Sequence, residues 1–470
     1  MIYTDTRDSS VKTDFRTAVL NGMNSKTGGL YIPVSFPKLD PSILRKTSAP
    51  SFRDIAFEMA KLYTDGEIPE NDLKEIIVDC YPFNAQIVPI DTVTYVLELF
   101  HGPTCAFKDF GARFMARVMS YFNKSESTPL HILVATSGDT GSAVGSAFHN
   151  VPGLDVTILY PEGKISPLQE KQLSTFTGNV RALRVKGTFD DCQRLVKTAF
   201  TDEELRSKFR LSSANSINIS RLLPQSFYYM YASLVVKNRA EHDSGIEKPA
   251  IIVSVPSGNF GNLTSGLIAR EMGAPIKGFI AATNSNRTIP DWIANGIYEP
   301  RASVKTLSNA MDVGAPSNYE RIRAMYTLED VRKLFASYWL DDAGTSNAIK
   351  ECKDKTGYVI DPHGAVGWKA WDDLRHSGML NLTSGFPNDS NQPGLTPNIP
   401  FWSNEILNKK AVGIVLETAH PAKFGDIVKQ ATGREPVIPD RLEKVMALPD
   451  NSIPMENDYD SFKEWLKKNL

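Results

Sequence analysis

The 470-residue sequence has few cysteines and almost no net charge, and both features exclude classes of protein. Its four cysteines, Cys80, Cys105, Cys192 and Cys352, are far apart and form no Cys-x-x-Cys pair. This excludes a zinc ribbon and a disulfide scaffold and indicates a reducing compartment. Lysine plus arginine total 52 and aspartate plus glutamate total 54, a net charge of −2. That balance argues against a nucleic-acid surface and a polybasic membrane anchor.

The sequence also lacks a run of about 18 apolar residues, so we predict no membrane span. Residues 1–8 show no basic stretch followed by an apolar run, so we expect no secretory signal peptide. With 41% apolar and 23% charged residues, the composition is typical of a globular protein. At about 150 residues per domain, the length predicts two or three domains. These features favour a soluble cytoplasmic enzyme.

Two patterns of apolar residues divide the chain. Residues 1–90 predict mostly helix, because Phe52, Ile55 and Met59 recur at helical spacing behind Ser51, a suitable N-cap. From about residue 91, apolar runs alternate with polar turns and helical stretches. This pattern predicts parallel sheet covered by helices, with ligands at the carboxyl ends of the strands. The predicted strands are Val93–Phe100, Leu130–Thr136, Val156–Tyr160, Val180–Val185, Ile251–Val255, Phe279–Thr283 and Val412–Leu416.

One turn after a predicted strand carries a lysine among apolar residues. Lys108 lies between Phe107 and Phe110 at the start of a predicted helix. Burial disfavours the ammonium ion and lowers the pKa of a lysine, and a neutral amine attacks a carbonyl group to form a Schiff base. The pattern also fits a surface lysine whose aromatic neighbours belong to the core.

Two further turns predict anion sites. Residues 137–143 and 257–262 each follow a predicted strand and open a helix, where free N–H groups bind anions. The hydroxyls of Ser137, Thr140 and Ser142 add donors to the first turn. Neither turn has the Gly-Lys-Ser/Thr of a Walker loop or a Gly-x-Gly-x-x-Gly fingerprint, so nucleotide binding is disfavoured. Well-capped helices without a ligand are the alternative for both.

A third polar turn follows the last predicted strand. It carries Thr418, His420 and Lys423. Since neither His101 nor His420 has a second histidine or cysteine at ligand spacing, we predict no metal site. A polar loop end without a function is the alternative.

Asn215, Asn218 and Arg221 recur every third residue, so on a helix they would share a face. Arg221 suits a phosphate or a carboxylate, although such a pattern also fits a solvated face. Together, one candidate Schiff-base lysine and two anion turns predict a site for two phosphates. Pyridoxal 5′-phosphate (PLP) is a phosphorylated aldehyde that would occupy the lysine and one turn. A phosphorylated substrate would occupy the other turn.

Four motifs, in order, resemble those of the threonine synthase family, in its longer fungal and bacterial form. They are His101-Gly102-Pro103-Thr104 with Phe107-Lys108-Asp109-Phe110, Ser137-Gly138-Asp139-Thr140-Gly141-Ser142-Ala143, Ser257-Gly258-Asn259-Phe260-Gly261-Asn262, and Glu417-Thr418-Ala419-His420-Pro421. The opening stretch, with Thr6-Arg7 and Gly28-Gly29-Leu30-Tyr31-Ile32-Pro33, resembles the N-terminal domain of the same family. The similarity spans nearly the whole chain.

The resemblance implies an α/β protein of PLP fold type II, related to the tryptophan synthase β subunit. Two open, twisted, parallel-type sheets wrapped by helices would follow a mainly helical N-terminal domain. We assign residues 1–90 to the N-terminal domain and residues 126–224 to a small α/β domain. Residues 91–125 and 225–470 would form the large PLP-binding domain, with a loop-rich insertion at 376–409.

The resemblance also implies roles for individual residues. Lys108 would carry PLP as a Schiff base and act as the catalytic residue, and Thr418 would bond the pyridine nitrogen. Asp139 would lie near the 3′-oxygen. The backbone N–H groups of Gly258, Asn259, Phe260, Gly261 and Asn262 would hold the cofactor phosphate. Our hypothesis for the substrate phosphate is a site made of Ser137, Thr140, Ser142, Asn215 and Arg221.

The reaction implied by the resemblance converts O-phospho-L-homoserine and water to L-threonine and phosphate by γ-elimination and β-addition. A phosphohomoserine lyase or a serine/threonine dehydratase of the same fold is the alternative. A nucleotide-binding or regulatory module that has lost the chemistry is a further one. We expect a small-molecule substrate, no nucleic-acid or membrane partner, and a monomer or homodimer.

Overall fold

The computed structural model describes residues 1–40, 42, 50–376, 393–395 and 400–470. Within these ranges the strands form three sheets, with three, five and seven strands. The strands are β1 (Tyr3–Asp5), β2 (Lys12–Thr13), β3 (Tyr31–Pro33), β4 (Gln86–Pro89), β5 (Thr94–Glu98), β6 (Leu130–Ala135), β7 (Leu154–Pro161), β8 (Val180–Val185), β9 (Arg210–Ser213), β10 (Ala250–Pro256), β11 (Ile276–Thr283), β12 (Phe335–Trp339), β13 (Gly394–Leu395), β14 (Ala411–Glu417) and β15 (Ile453–Met455).

Helices separate most of these strands, and two short 3₁₀ turns cover Asn309–Met311 and Pro421–Phe424. None of the described helices is both long and apolar enough to cross a membrane. The α-helices are α1 (Phe15–Asn21), α2 (Phe52–Thr64), α3 (Glu70–Cys80), α4 (Lys108–Asn123), α5 (Asp139–Phe148), α6 (Pro167–Ser174), α7 (Phe189–Thr201), α8 (Glu203–Lys208), α9 (Ile219–Leu222), α10 (Gln225–His242), α11 (Gly261–Glu271), α12 (Thr288–Asn295), α13 (Tyr319–Met325), α14 (Leu328–Leu334), α15 (Asp342–Thr356), α16 (Pro362–His376), α17 (Ser403–Leu407), α18 (Gly425–Thr432), α19 (Asp440–Met446) and α20 (Tyr459–Asn469).

The N-terminal region is mainly helical, as predicted, but it also contains a small antiparallel sheet of order β2-β1-β3. Helix α2 begins where the sequence indicated, because the Ser51 hydroxyl and the Asp54 carboxylate form a capping box. Its buried face includes Phe52, Ile55 and Met59. The sheet escaped prediction because its strands have only two or three residues, too few to show a period of two.

The large sheet has the order β13-β12-β11-β10-β14-β5-β4. Its five inner strands are parallel, and the edge strands β4 and β13 are antiparallel to their neighbours. All residues of β10 and β14 are buried, as expected for central strands covered on both faces. This explains why β5, β10, β11 and β14 were all predicted from apolar runs.

The smaller sheet has the order β15-β8-β7-β6-β9 and is parallel throughout. Strands β6, β7 and β8 correspond to predicted runs. Strand β15 comes from the C-terminal segment, which the sequence had grouped with the large domain. Helix α20 joins the same unit, because Phe462 and Leu466 pack with Cys192 and Leu195 of α7. Likewise β4, grouped with residues 1–90, pairs with β5 of the large sheet.

The predicted insertion at 376–409 lies mostly outside the described residues. Its described parts include regular structure that the composition did not indicate. Strand β13 pairs with β12, and α17 follows Trp402, which is fully buried. The Trp402 indole donates a hydrogen bond to the Leu334 carbonyl over 2.8 Å. This end of the segment is therefore anchored to the large sheet.

Candidate active site

Lys108 begins α4, at the end of the turn that follows β5. The Asp109 carboxylate shapes this turn by accepting hydrogen bonds from the backbone N–H (2.9 Å) and the hydroxyl (2.8 Å) of Thr104. The N–H of Phe107 donates to the Thr418 carbonyl over 2.8 Å, which ties the turn to the loop after β14. Lys108 is half-buried, and its Nζ lies 5.7 Å from the centre of the Phe107 ring. The amine is thus held at the carboxyl edge of the large sheet.

The surroundings of Lys108 lower the pKa of its amine to about 8, from about 10.4 for a lysine in water. Burial is the main cause, because it disfavours the ammonium ion. The carboxylate of Asp139 opposes this change, and the positive charges of Arg221 and Lys423 reinforce it. A far larger share of this amine is therefore neutral near pH 7 than in an exposed lysine. A lowered pKa is the property that a Schiff-base lysine requires.

Asp139 lies at the start of α5, just after β6, and its charge reaches Lys108. Its Oδ1 lies 2.7 Å from Nζ of Lys423 and accepts a hydrogen bond from Nε2 of Gln169 over 3.0 Å. Burial raises the pKa of this carboxyl, but the charges of Lys423 and Lys108 outweigh burial and hold it well below its usual value. Asp139 is therefore a carboxylate, and it joins the smaller sheet to the loop after β14.

The turn between β10 and α11 forms a backbone cradle. Phe260 has a φ of 58°, a left-handed conformation that turns the chain sharply into the helix. At position 258 an added Cβ would lie 2.7 Å from the Cα of Met311, so only glycine fits there. The first N–H groups of α11 have no partners inside the helix and are available to an anion.

The two asparagines of this turn have different partners. The Asn259 amide bonds Ser216 and the N–H of Ser317, so its side chain holds the cradle in shape. Oδ1 of Asn262 accepts hydrogen bonds from Tyr228 (2.6 Å) and Tyr229 (2.8 Å). Its buried Nδ2 has no hydrogen-bond partner within the described part of the chain. This donor is therefore available to an acceptor from a ligand.

Arg221 of α9 is a buried cation whose charge helps to lower the pKa of Lys108. It is 2% exposed, and its Nη1 donates to the Ala214 carbonyl over 2.6 Å. Its Nε has no hydrogen-bond partner among the described residues. Burial lowers the pKa of this guanidinium to about 10, so it stays charged at neutral pH. A charged group with an unused donor fits an anionic ligand.

The neighbouring polar residues differ from prediction in two respects. Asn215 and Asn218 do not share a helix face with Arg221, because α9 begins only at Ile219 and Asn218 is its N-cap. Asn215 instead donates through Nδ2 to the Ala135 carbonyl at the end of β6, over 3.0 Å. Periodicity alone could not show that the chain turns before the helix starts.

Ser142 also departs from its predicted role. It is fully buried, and its hydroxyl donates to the Asp139 carbonyl over 3.1 Å. Since a hydroxyl has one proton, Ser142 does not donate into the cleft in this structure. Ser137 and Thr140 are half-buried at the same turn.

Sequence analysis missed Arg321, which supports the loop that contacts the cradle. It is fully buried, and it donates to the carbonyls of Tyr31 (2.9 Å), Ser216 (2.9 Å) and Ile217 (2.5 Å). Burial lowers the pKa of its guanidinium to about 9. It also donates to Oδ1 of Asn318 over 2.7 Å. No local pattern marks this arginine, because its three carbonyl partners lie more than 100 residues away in the chain. It links the N-terminal sheet to the Asn215–Asn218 loop.

The residues present fit PLP. The amine of Lys108 suits an aldehyde, and the glycine-lined cradle with the free Asn262 donor suits a phosphate. Thr418, at the end of β14, is 6% exposed and lies next to the Lys108 turn. Among the described residues, no group of three or more His, Cys, Asp or Glu side chains is arranged to hold a metal ion.

Comparison with known proteins agrees with this geometry. Family models described as "Threonine synthase N terminus", "Pyridoxal-phosphate dependent enzyme" and "Threonine synthase, C-terminal" match residues 2–81, 81–381 and 403–466. The threonine synthase of Haemophilus influenzae is 39% identical over 97% of this chain and 96% of its own length.

Two solved structures also resemble the chain over almost its entire length. The crystal structure of Escherichia coli threonine synthase has a TM-score of 0.83 and 36% identity, and the match covers 100% of both chains. The PLP-bound threonine synthase of Brucella melitensis has a TM-score of 0.84 and 33% identity, covering 100% of this chain and 99% of its own. The fold-type II architecture and the PLP dependence expected from the sequence are thereby confirmed. This chain belongs to the threonine synthase family of PLP-dependent enzymes.

Proposed function

We propose that the protein converts O-phospho-L-homoserine and water to L-threonine and phosphate, using PLP bound to Lys108. The observation that carries this function is one lysine of lowered pKa together with two groups that have donors for anions. The cradle at Gly258–Asn262 serves the cofactor phosphate, and Arg221 serves the substrate phosphate. The full-length similarity to threonine synthases supports the same reaction.

The residues that we propose as cofactor contacts all lie in the turns that follow strands. Lys108 would bind the cofactor aldehyde through its amine, and the N–H groups of Gly258, Asn259, Phe260, Gly261 and Asn262 would hold the phosphate. Thr418 would bond the pyridine nitrogen, and Asp139 would face the 3′-oxygen. When bound, PLP withdraws electrons from the substrate carbons and so makes their protons removable.

The substrate phosphate is held by Arg221, whose unused Nε supplies a charge-assisted donor. Asn215, Ser137 and Thr140 contribute polar contacts. Ser142 supports the turn instead, since its hydroxyl donates to Asp139. Holding this phosphate orients the γ carbon and keeps the leaving group in place while the C–O bond breaks.

Lys108 moves the protons. With substrate bound, its free amine would accept a proton at the α carbon and transfer protons at the β carbon. With a pKa of about 8, this amine is well matched to both directions of transfer near neutral pH. Phosphate leaves from the γ carbon, and water adds at the β carbon.

Incubation with O-phospho-L-homoserine in ¹⁸O-labelled water tests the reaction. We expect equal amounts of threonine and phosphate, with the label in the threonine hydroxyl and none in the phosphate, because the C–O bond breaks and water adds to carbon. Formation of 2-oxobutyrate and ammonia without threonine would instead identify the lyase or dehydratase. Label in the phosphate, with homoserine as product, would indicate simple hydrolysis.

Thr418→Val tests the pyridine contact at nearly constant side-chain volume. We expect PLP to bind about fivefold more weakly, because one hydrogen bond contributes about 1 kcal/mol, and its visible absorption to shift. Titration of the cofactor-free protein with PLP, followed by absorbance, measures both. Thr201→Val is the matched control, since Thr201 is exposed at the end of α7. Unchanged affinity and spectrum would remove Thr418 from the site.

Assembly and location are also part of the proposal. A small-molecule substrate held entirely by groups of one chain requires no partner subunit at the cleft. We propose a monomer or homodimer in the cytoplasm. Light scattering of the purified protein at several concentrations gives the oligomeric state.

A further inference from the structure

Lys423 is a buried lysine that the proposed reaction does not use. It lies in the 3₁₀ turn after β14, and its side chain is 0% exposed. Its Nζ contacts Oδ1 of Asp139 (2.7 Å) and donates to the Thr104 carbonyl over 3.1 Å. The turn that carries Lys108 and the helix that carries Asp139 thus meet at this one amine.

Two lysines act on one carboxylate at this point. Both Lys423 and Lys108 influence the charge of Asp139, but the close contact belongs to Lys423. Gln169 donates to the same Oδ1, so both close donors are occupied with this one oxygen of Asp139. An ion pair of Lys108 with Asp139 would stabilise the ammonium form of Lys108, which is not nucleophilic.

We propose that Lys423 is a positioning residue that occupies Asp139 and thereby prevents Lys108 from forming an ion pair with it. This inference rests on the proposed function only in taking Lys108 as the reactive amine. A buried pair of opposite charges also lets a carboxylate sit in the site without an unbalanced charge. The site therefore keeps Asp139 ionised and Lys108 available at the same time.

The charged groups that face Lys108 come from three elements. Asp139 of α5 favours its ammonium form, whereas Arg221 of α9 and Lys423 disfavour it. Removing Lys423 should therefore raise the pKa of Lys108 for two reasons, because a repelling charge is lost and Asp139 loses its close partner. Removing Asp139 should lower the pKa of Lys108. A purely structural ion pair between the two sheets would show neither effect on Lys108.

The test is the pH dependence of amine labelling at Lys108 in the full chain after removal of bound cofactor. Trinitrobenzenesulfonate labels neutral amines, and peptide mass spectrometry resolves Lys108 from other lysines. In the unchanged chain we expect a midpoint near pH 8. For Lys423→Met we expect the midpoint to rise by at least about one unit, a roughly tenfold lower labelling rate near pH 7. For Asp139→Asn we expect it to fall, and for the double variant to return close to that of the unchanged chain.

Two controls keep the result interpretable. Lys423→Arg retains the charge, so its midpoint should stay near that of the unchanged chain. Exposed Lys124, at the end of the same α4, is an internal reference whose labelling should not change in any variant. Thermal unfolding followed by circular dichroism checks the fold, and Lys423→Gln, which also removes the charge, replaces Lys423→Met if that variant does not fold.

A midpoint that stays unchanged in Lys423→Met, or does not fall in Asp139→Asn, would overturn the proposal. A lower melting temperature with an unchanged Lys108 midpoint would assign Lys423 a structural role only. The proposed reaction is judged separately, because the unchanged chain either forms threonine from phosphohomoserine or does not. Failure of one proposal is thus distinguishable from failure of the other.

Discussion

Lys108→Ala is expected to lose threonine formation by at least about 10³-fold while the fold is retained. The loss combines the missing amine that binds the cofactor with the missing acid–base group, which alone contributes roughly 10²–10⁴. We expect little change in the free energy of unfolding of the cofactor-free protein, because the amine that is removed is half-buried and its ammonium form is disfavoured. Activity with phosphohomoserine, PLP absorbance and thermal unfolding measure the three effects.

The matched control for this prediction is Lys124→Ala, which removes an exposed lysine at the other end of α4. We expect it to keep both activity and colour. Borohydride reduction of the unchanged protein should fix the cofactor to the Lys108 peptide, and Lys108→Ala should lose this label. Turnover by Lys108→Ala within about tenfold of the unchanged protein would contradict the assigned role.

Arg221→Met is expected to lower kcat/KM for phosphohomoserine by at least about 30-fold while PLP binding and its spectrum are kept. The reason is that a buried, hydrogen-bonded charge pair typically loses about 2–5 kcal/mol when one partner is truncated. Inhibition by inorganic phosphate should weaken in parallel, because product and substrate share this anion site. Initial rates at several phosphate concentrations measure both constants.

Arg206→Met is the control for the arginine, since Arg206 is exposed on α8 of the same unit. We expect its rates and its phosphate inhibition to match those of the unchanged protein. If Arg221→Met instead lost the PLP colour and kept its phosphate inhibition, the two anion sites would have to be exchanged. Unchanged kcat/KM and inhibition would exclude Arg221 from phosphate binding.

Seven of the eight inner strands of the two larger sheets could be predicted because each is a continuous apolar run bounded by a polar or glycine-rich turn. The eighth, β12 (Phe335–Trp339), is also fully buried, but it was not predicted. Strand β10 is typical: all of its residues are buried, and its end is marked by Pro256 and Ser257. Edge strands gave no such signal. Strand β9 is only partly buried, and β15 has three residues with a single buried one, so burial left no pattern in either.

Site residues could be predicted where the functional group and the neighbours that mark it lie in the same turn. Lys108 is marked by its apolar neighbours, and the cradle by glycines at helix starts. The contacts that set the chemistry connect distant segments instead. Lys423 and Asp139 are 284 positions apart in the chain, and Arg321 bonds the carbonyl of Tyr31, 290 positions away. No local spacing encodes such partners.

The sequence by itself determined that the chain alternates strands and helices, that reactive groups follow the strands, and which four motifs carry them. Only the tertiary structure decided that Asp139 is held by Lys423 and Gln169, and that the Ser142 hydroxyl donates to the Asp139 carbonyl. It also decided that Arg221 and Asn262 have donors without a partner among the described residues. Periodicity and turn residues are local properties of the chain. Burial, charge pairing and the resulting pKa of about 8 at Lys108 depend on which segments meet in space.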